Sequence, residues 1–351
     1  MTARRRQRQP VERSRRAVLG MVAMALTTGA APASALATRR SPRIDPPAKS
    51  RSLLLAADQA SERVLVLDPH DESWEDRGRR AQRSAARAAL WSWSPADDGS
   101  LNALNPQRSW RNVSEAKHRV VNGRQWLLTC ASGGLAAMVS YPHGDVAWAA
   151  LVGGNTHSLE LLPNGNVAVA ASTGGFIRIY TASQGPRSAG YVQFDLPGAH
   201  GVQWDNANDT LWALGESELI GLKVDGTDAR PEVEAGATVS LSDRGGHDLA
   251  AVAKDGNRLW VTTTHHVRQY SISEDAFVAY PGQRGIDRAG VKSVGDDPDT
   301  GQVLTVTPQS GNPCQWCTST IDFHSPDGRQ DTAGASLYKA RWLLPSDADG
   351  E

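Results

Sequence analysis

Six titratable side chains recur along this chain at a nearly constant interval: Lys117, His157, His200, His247, Lys292 and Lys339, separated by 40, 43, 47, 45 and 47 residues. Brought to one place, three imidazoles and three ammonium groups support two kinds of chemistry. His157, His200 and His247 as neutral imidazoles can converge on a divalent metal and leave open positions that polarise a substrate oxygen. Alternatively one histidine acts as general base, its pKa held low by the lysines, while Lys117 or Lys339 neutralises a uronate carboxylate during β-elimination or hydrolysis. Two positions on, Arg119 and Arg341 follow Lys117 and Lys339, whereas Leu159, Val202, Leu249 and Val294 follow the other four. Lys117, Arg119, Lys292, Lys339 and Arg341 are therefore the candidate anion ligands, suited to a carboxylate, sulfate or phosphate. Asp58 and Glu115 are acids that can pair with those bases instead. A third reading needs no ligand: the six groups form a hydrogen-bonded plug that ties the fold together. The residues leave open whether the protein is an enzyme.

No local motif joins residues so far apart, so the elements that carry them must do so. From residue 52 onward the chain is a series of short runs rich in Val, Leu, Ile, Thr and Trp, cut by Gly, Asn, Asp and Pro. Five segments repeat one order: an anchor that opens a strand, a turn, a second strand, a short loop and a third strand. The second strands fall at 126–132, 167–172, 211–215, 259–263 and 303–307, and the third at 135–141, 176–181, 218–224, 266–272 and 319–323. A period near 45 residues with about four strands per unit predicts an all-β fold, a β-propeller. Residues 337–342 supply a sixth anchor strand with nothing behind it. Residues 52–58 and 63–68 are a second and third strand with no anchor before them. Joining the termini gives six blades and a ring without free edges. A seventh blade would have to lie in 69–113, where 90–93 is the one strand candidate.

The rest of the composition narrows the class. Residues 1–37 hold seven arginines (4, 5, 6, 8, 13, 15 and 16) and one acid, Glu12. Removing them from 37 bases and 38 acids leaves 30 and 37, a net charge of −7 that argues against nucleic acid as a partner. A basic start, an apolar run over 17–31 and small residues ending at Ala37 have the order of a secretory signal peptide. Ser14-Arg15-Arg16-Ala17-Val18-Leu19-Gly20 is similar to the twin-arginine export signal, which implies export after folding. An ordinary secretory signal competes with that reading. The expected layout is a signal over 1–37, a leader over 38–51, one propeller domain over 52–345 and a tail over 346–351, secreted and with no membrane anchor after cleavage. The Arg/Ala stretch 77–90 is the one candidate helix, an insertion. Cys314 and Cys317 can form a local disulfide, while Cys130 lies in an apolar run and is expected in the core. Trp126, Trp204, Trp212, Trp260 and Trp342 are expected between blades. Trp91, Trp93, Trp110 and Trp316, in irregular segments, are the candidates for stacking on a sugar. No Ser-His-Asp triad, P-loop or dinucleotide fingerprint is present.

With the repeat and its closure in place, the chain resembles the six-bladed propeller superfamily of gluconolactonase-like and NHL-type proteins, and within it a group of secreted actinobacterial proteins of unknown function. His157-Ser158-Leu159-Glu160-Leu161-Leu162-Pro163-Asn164-Gly165-Asn166-Val167 is also similar to a blade signature found in several propeller families, arylsulfotransferases among them. The resemblance implies the fold. Gluconolactonase-like enzymes hold a divalent metal with Glu, Asn and Asp, and no such set can be placed here, so their activity is not carried over. The expectation is a secreted propeller that binds an acidic glycan or other small anion at its channel mouth, as a lyase or hydrolase or else as a cell-envelope binding or scaffold protein.

Overall fold

The computed structural model describes residues 52–70, 85–87 and 89–343. The signal, leader and tail expected over 1–37, 38–51 and 346–351 lie outside these residues, and so does most of the 77–90 stretch. The described strands form six four-stranded antiparallel sheets, a six-bladed β-propeller. The inner strands of blades one to six are Val113–Val121, Thr156–Leu161, Gly201–Asp205, Asp248–Val252, Ser293–Asp296 and Leu337–Trp342. Each packs against the inner strand of the next blade, and the sixth packs against the first.

The sixth blade closes the ring from both ends of the chain. Its inner strand, Leu337–Trp342, pairs with Leu54–Asp58, which pairs with Arg63–Leu67 and then Trp91–Trp93. This register joins Leu54 to Trp342 and Ala57 to Lys339 across the whole sequence.

Six apolar clusters lie between the blades, one at each boundary. Strand pleating produces this directly, because alternate residues face opposite neighbours. Leu54 and Ala56 pack toward blade five, while Leu55 and Ala57 pack toward blade one. Both faces of a strand are therefore apolar, and the sequence runs are continuous rather than alternating. On the inner strands the same rule sends Ala116, Leu159, Val202, Leu249, Val294 and Ala340 into the boundary clusters. Their immediate neighbours in sequence face the channel.

Candidate functional site

Three side chain to backbone bonds between blades fix which residues share a level of the channel. Val202 N–H donates to Ser158 Oγ (3.4 Å), Val294 N–H to Asp248 Oδ2 (3.1 Å) and Ala340 N–H to Ser293 Oγ (3.0 Å). Ser158, Asp248, Ser293 and Lys339 therefore occupy one level, and the residue before each occupies the level above. His157, His200, His247 and Lys292 are at that upper level, and its remaining members are Tyr338 and Ser114. Lys339 lies one residue deeper than the histidines and Lys117 three residues deeper, so the six anchors do not form a single ring. Register shifts at the start of the inner strands of blades one, two and six let two consecutive residues reach inward there.

At the upper end the three histidines stand side by side. The rings of His157 and His200 are stacked with centroids 4.4 Å apart, and those of His200 and His247 are 4.7 Å apart. The Tyr338 hydroxyl lies 3.2 Å from His157 Nδ1 and 3.0 Å from His247 Nε2. A hydroxyl has one proton to give, so one of these nitrogens accepts it and the other donates. His200 Nδ1 is 2.8 Å from the Gly198 carbonyl oxygen and must carry a proton, which leaves Nε2 of the neutral ring as a lone-pair acceptor. Burial, then the charges of neighbouring residues, Lys339 and Lys292 among them, hold all three imidazoles below the ordinary histidine value, His200 at about 4. His157 and His200, with 23° between their planes, carry their in-plane lone pairs side by side, and His247 is tilted by 46° and 35° to them. Among the described residues no group of three His, Cys, Asp or Glu is placed to hold a metal ion. The convergent metal arrangement expected for His157, His200 and His247 is thus not the one found.

Lys292 also belongs to this end, half-buried like His200 and His247. Burial, and then repulsion from Lys339, pull its pKa down. Among the described residues it has no carboxylate partner.

One level deeper the channel is closed by a charged plug. Lys339 Nζ donates to Asp248 (2.9 Å), Glu115 (3.3 Å) and the His157 carbonyl (3.3 Å). The Arg341 guanidinium bonds Asp248 at 2.6 and 2.8 Å and Glu115 at 3.0 and 3.2 Å. Two bases from blade six thus meet acids from blades one and four. Burial alone would raise the pKa of Glu115 and Asp248, but Arg341 and Lys339 outweigh it and hold both carboxyls below their usual range.

Lys117 and Arg119 sit lower still, on Glu160 of blade two. Arg119 clamps both Glu160 oxygens at 2.6 Å, and Lys117 Nζ reaches the same carboxylate at 3.4 Å. Burial takes the Lys117 pKa down to about 8 against the raising pull of Glu160. The predicted cationic half-ring is therefore largely matched by acids. Glu115 was foreseen as a partner. Asp248 and Glu160 were not, although both stand at the i, i+2 spacing on inner strands that puts residues on one side. Asp58 serves its own turn, accepting from Ala60 N, Ser61 N and Ser336 N.

Three of the four predicted stacking tryptophans need correction. Trp91, Trp93 and Trp110 are buried between blades six and one, with their indole N–H groups on the carbonyls of Pro142, Gly144 and Glu62. Short irregular flanks concealed that they belong to the blade boundary. Trp316 is 45% exposed and donates to Gln59 Oε1. Trp212, Trp260 and Trp342 are buried as expected, and Trp126 and Trp204 are half-buried. Cys314 and Cys317 are disulfide-bonded, and Cys130 is buried and free.

These features define a six-bladed propeller whose channel is plugged by ion pairs and lined at one mouth by three closely set neutral histidines. Residues 60–348 match the family of unknown function DUF6528, and the chain belongs to that family. No curated protein matches it. Among solved structures it is similar to a protein of unknown function from Bacteroides caccae, with 13% identity over 84% of this chain and 94% of that one and a TM-score of 0.48. It is also similar to Saccharomyces cerevisiae Sqt1, with 12% identity over 67% of this chain and 60% of that one and a TM-score of 0.39.

Proposed function

We propose that this protein is an exported propeller that binds the carboxylate of an acidic glycan, or of a related small anion, at the histidine mouth. The observation that carries this reading is Lys292, a half-buried channel cation with no carboxylate partner among the described residues, one blade from His247. A sugar acid offers both groups the mouth can use. Its carboxylate would be received by the Lys292 ammonium, and a ring hydroxyl would donate to His200 Nε2. Binding is favoured over β-elimination because a base with a pKa near 4 is poorly matched to proton abstraction at neutral pH. Export is supported by the Arg-rich start, apolar run and small-residue end of segment 1–37.

Calorimetric titration of galacturonate and its oligomers, beside neutral sugars of equal size, tests the proposal. Saturable binding of the acids alone, abolished by Lys292→Met and weakened about tenfold by His200→Gln, is the expected result. No binding of any uronate would leave the structural-plug reading, which the Lys339–Glu115–Asp248 bridge across the channel supports. New ultraviolet absorbance on incubation with polyuronates would instead restore the lyase.

A further inference from the structure

The lower end of the channel, beyond the plug, opens into a cavity of about 430 Å3 whose wall includes Arg119, Gln203, Trp204, Arg258, Arg341 and Trp342. Pockets for small ligands start at roughly 300 Å3. The space has a clear origin in the sequence. At the level where blades one, two, three and six carry Lys117, Glu160, Gln203 and Arg341, blades four and five carry Ala250 and Gly295, so two adjacent blades leave their share of the channel empty.

The wall has donors to spare and few acceptors. Asp205 is engaged by the backbone N–H groups of Ala207 and Asn208, and Asp296 by Trp260 Nε1 and Ala253 N–H. Lys117 and Arg119 share the single carboxylate of Glu160, which leaves that group with one positive charge in excess. The Arg119 side chain is 23% exposed, so its guanidinium remains within reach of a ligand. The indole N–H groups of Trp204 and Trp342 are buried without a partner, and Trp342 is 7% exposed overall. Both indole nitrogens are closed off by packing, so the donor that a ligand in the cavity can reach is Arg119. Between these donors the lining is apolar, with Leu259, Ile272 and the alanines.

We propose that this cavity is a second binding site, distinct from the histidine mouth, for a small ring-bearing carboxylate. The ring lies against the apolar wall, and the carboxylate takes the donors at Arg119. The two ends are separated by the Lys339–Glu115–Asp248–Arg341 plug, so they bind independently.

Benzoate is the probe, with benzyl alcohol as its uncharged counterpart, followed by calorimetry and by tryptophan fluorescence. A Cβ built on Gly295 meets nothing within 4 Å and its backbone is ordinary strand, so Gly295→Val fills the cavity without a clash. Saturable binding of benzoate is expected, at least tenfold tighter than that of benzyl alcohol. It should weaken at least tenfold in Gly295→Val and in Arg119→Gln, and stay unchanged in Lys292→Met at the other mouth. Thermal unfolding of each variant shows that it is folded. Absence of saturable benzoate binding overturns the site, as does binding that survives both Gly295→Val and Arg119→Gln. Equal binding of the alcohol overturns the carboxylate assignment, and loss in Lys292→Met would move the ligand to the upper mouth.

Discussion

Lys339→Met is the sharpest test of the plug. The ammonium is fully buried and touches two carboxylates, Asp248 at 2.9 Å and Glu115 at 3.3 Å. Its removal leaves both acids on the single guanidinium of Arg341, with their mutual repulsion less screened. Breaking a buried ion pair by deleting one partner costs about 3–5 kcal/mol. For a domain of this size that corresponds to a fall in Tm of roughly 6–10 °C, at about 2 °C per kcal/mol. The pH dependence supplies a second signature. In the parent protein both carboxyls have depressed pKa values, so their contribution is complete above the unfolded values near 4 and lost as pH falls through the folded ones. In the variant one of the two acids is left underpaired in a buried site and its pKa rises above the unfolded value. Its ionisation then costs stability as pH climbs, so the gap between variant and parent is small near pH 4 and widest at pH 7. Urea unfolding at pH 4, 5.5 and 7 measures this directly. A second change, Glu115→Gln, made on top of Lys339→Met, should recover part of the loss, a coupling of more than about 1 kcal/mol. A gap below about 1 kcal/mol at neutral pH, or one that does not change with pH, would refute the plug as a tie between blades.

Three further outcomes are expected. The depressed histidines mean that the unfolded chain takes up protons below about pH 6.5 that the folded mouth refuses. Their contribution is therefore complete above pH 6.5 and drains as pH falls toward 4; urea midpoints at pH 7 and 5 should show the drop, and His200→Gln should reduce it. Gly246→Ala would set a Cβ 2.1 Å from the Gly215 carbonyl oxygen of the neighbouring blade. A loss of about 1–3 kcal/mol is expected from that backbone clash, with weaker uronate binding at the adjacent His247; unchanged Tm would contradict the close packing of the two blades. Trp93→Ala should cost about 3–5 kcal/mol as a core deletion, against less than about 0.5 kcal/mol for the exposed Trp316→Ala, both read by thermal unfolding.

The sequence made the ring legible because two signals agreed. Continuous apolar runs such as 167–171 are needed where both faces of a strand meet another blade, and the step from Lys292 to Lys339 left one anchor strand with no second strand behind it. The outer strands carried little signal. Tyr191–Asp195 and Gly328–Asp331 are mostly exposed and lack a continuous apolar run, as the rim of a blade can. For the site, residue type misled where backbone register would not have. His157, His200 and His247 hold one register position, at the upper level of the channel, and their alignment by spacing matches it. Lys339 and Lys117 were matched to them by charge, while the residues in true register are Tyr338 and Ser114, neither of which titrates near neutrality. A register shift of one residue is invisible in a spacing of 40 to 47, yet it separates the mouth from the plug.

That separation decides where ligand chemistry can reside. In the middle of the channel, two bases face two acids: Lys339 and Arg341 are satisfied by Glu115 and Asp248, and an incoming anion would have to displace a buried carboxylate at a cost of several kcal/mol. Among the described channel residues, charge is unmatched only toward the two ends, at Lys292 above and at the Lys117–Arg119–Glu160 group below. An anion gains most where it neutralises a cation that burial has already made unfavourable, and both Lys292 and Lys117 have their pKa values lowered by burial first of all. The residues predicted as one anion site therefore act as three groups. The central group holds the blades together, and the outer two are the places at which an anion can bind without dismantling the fold.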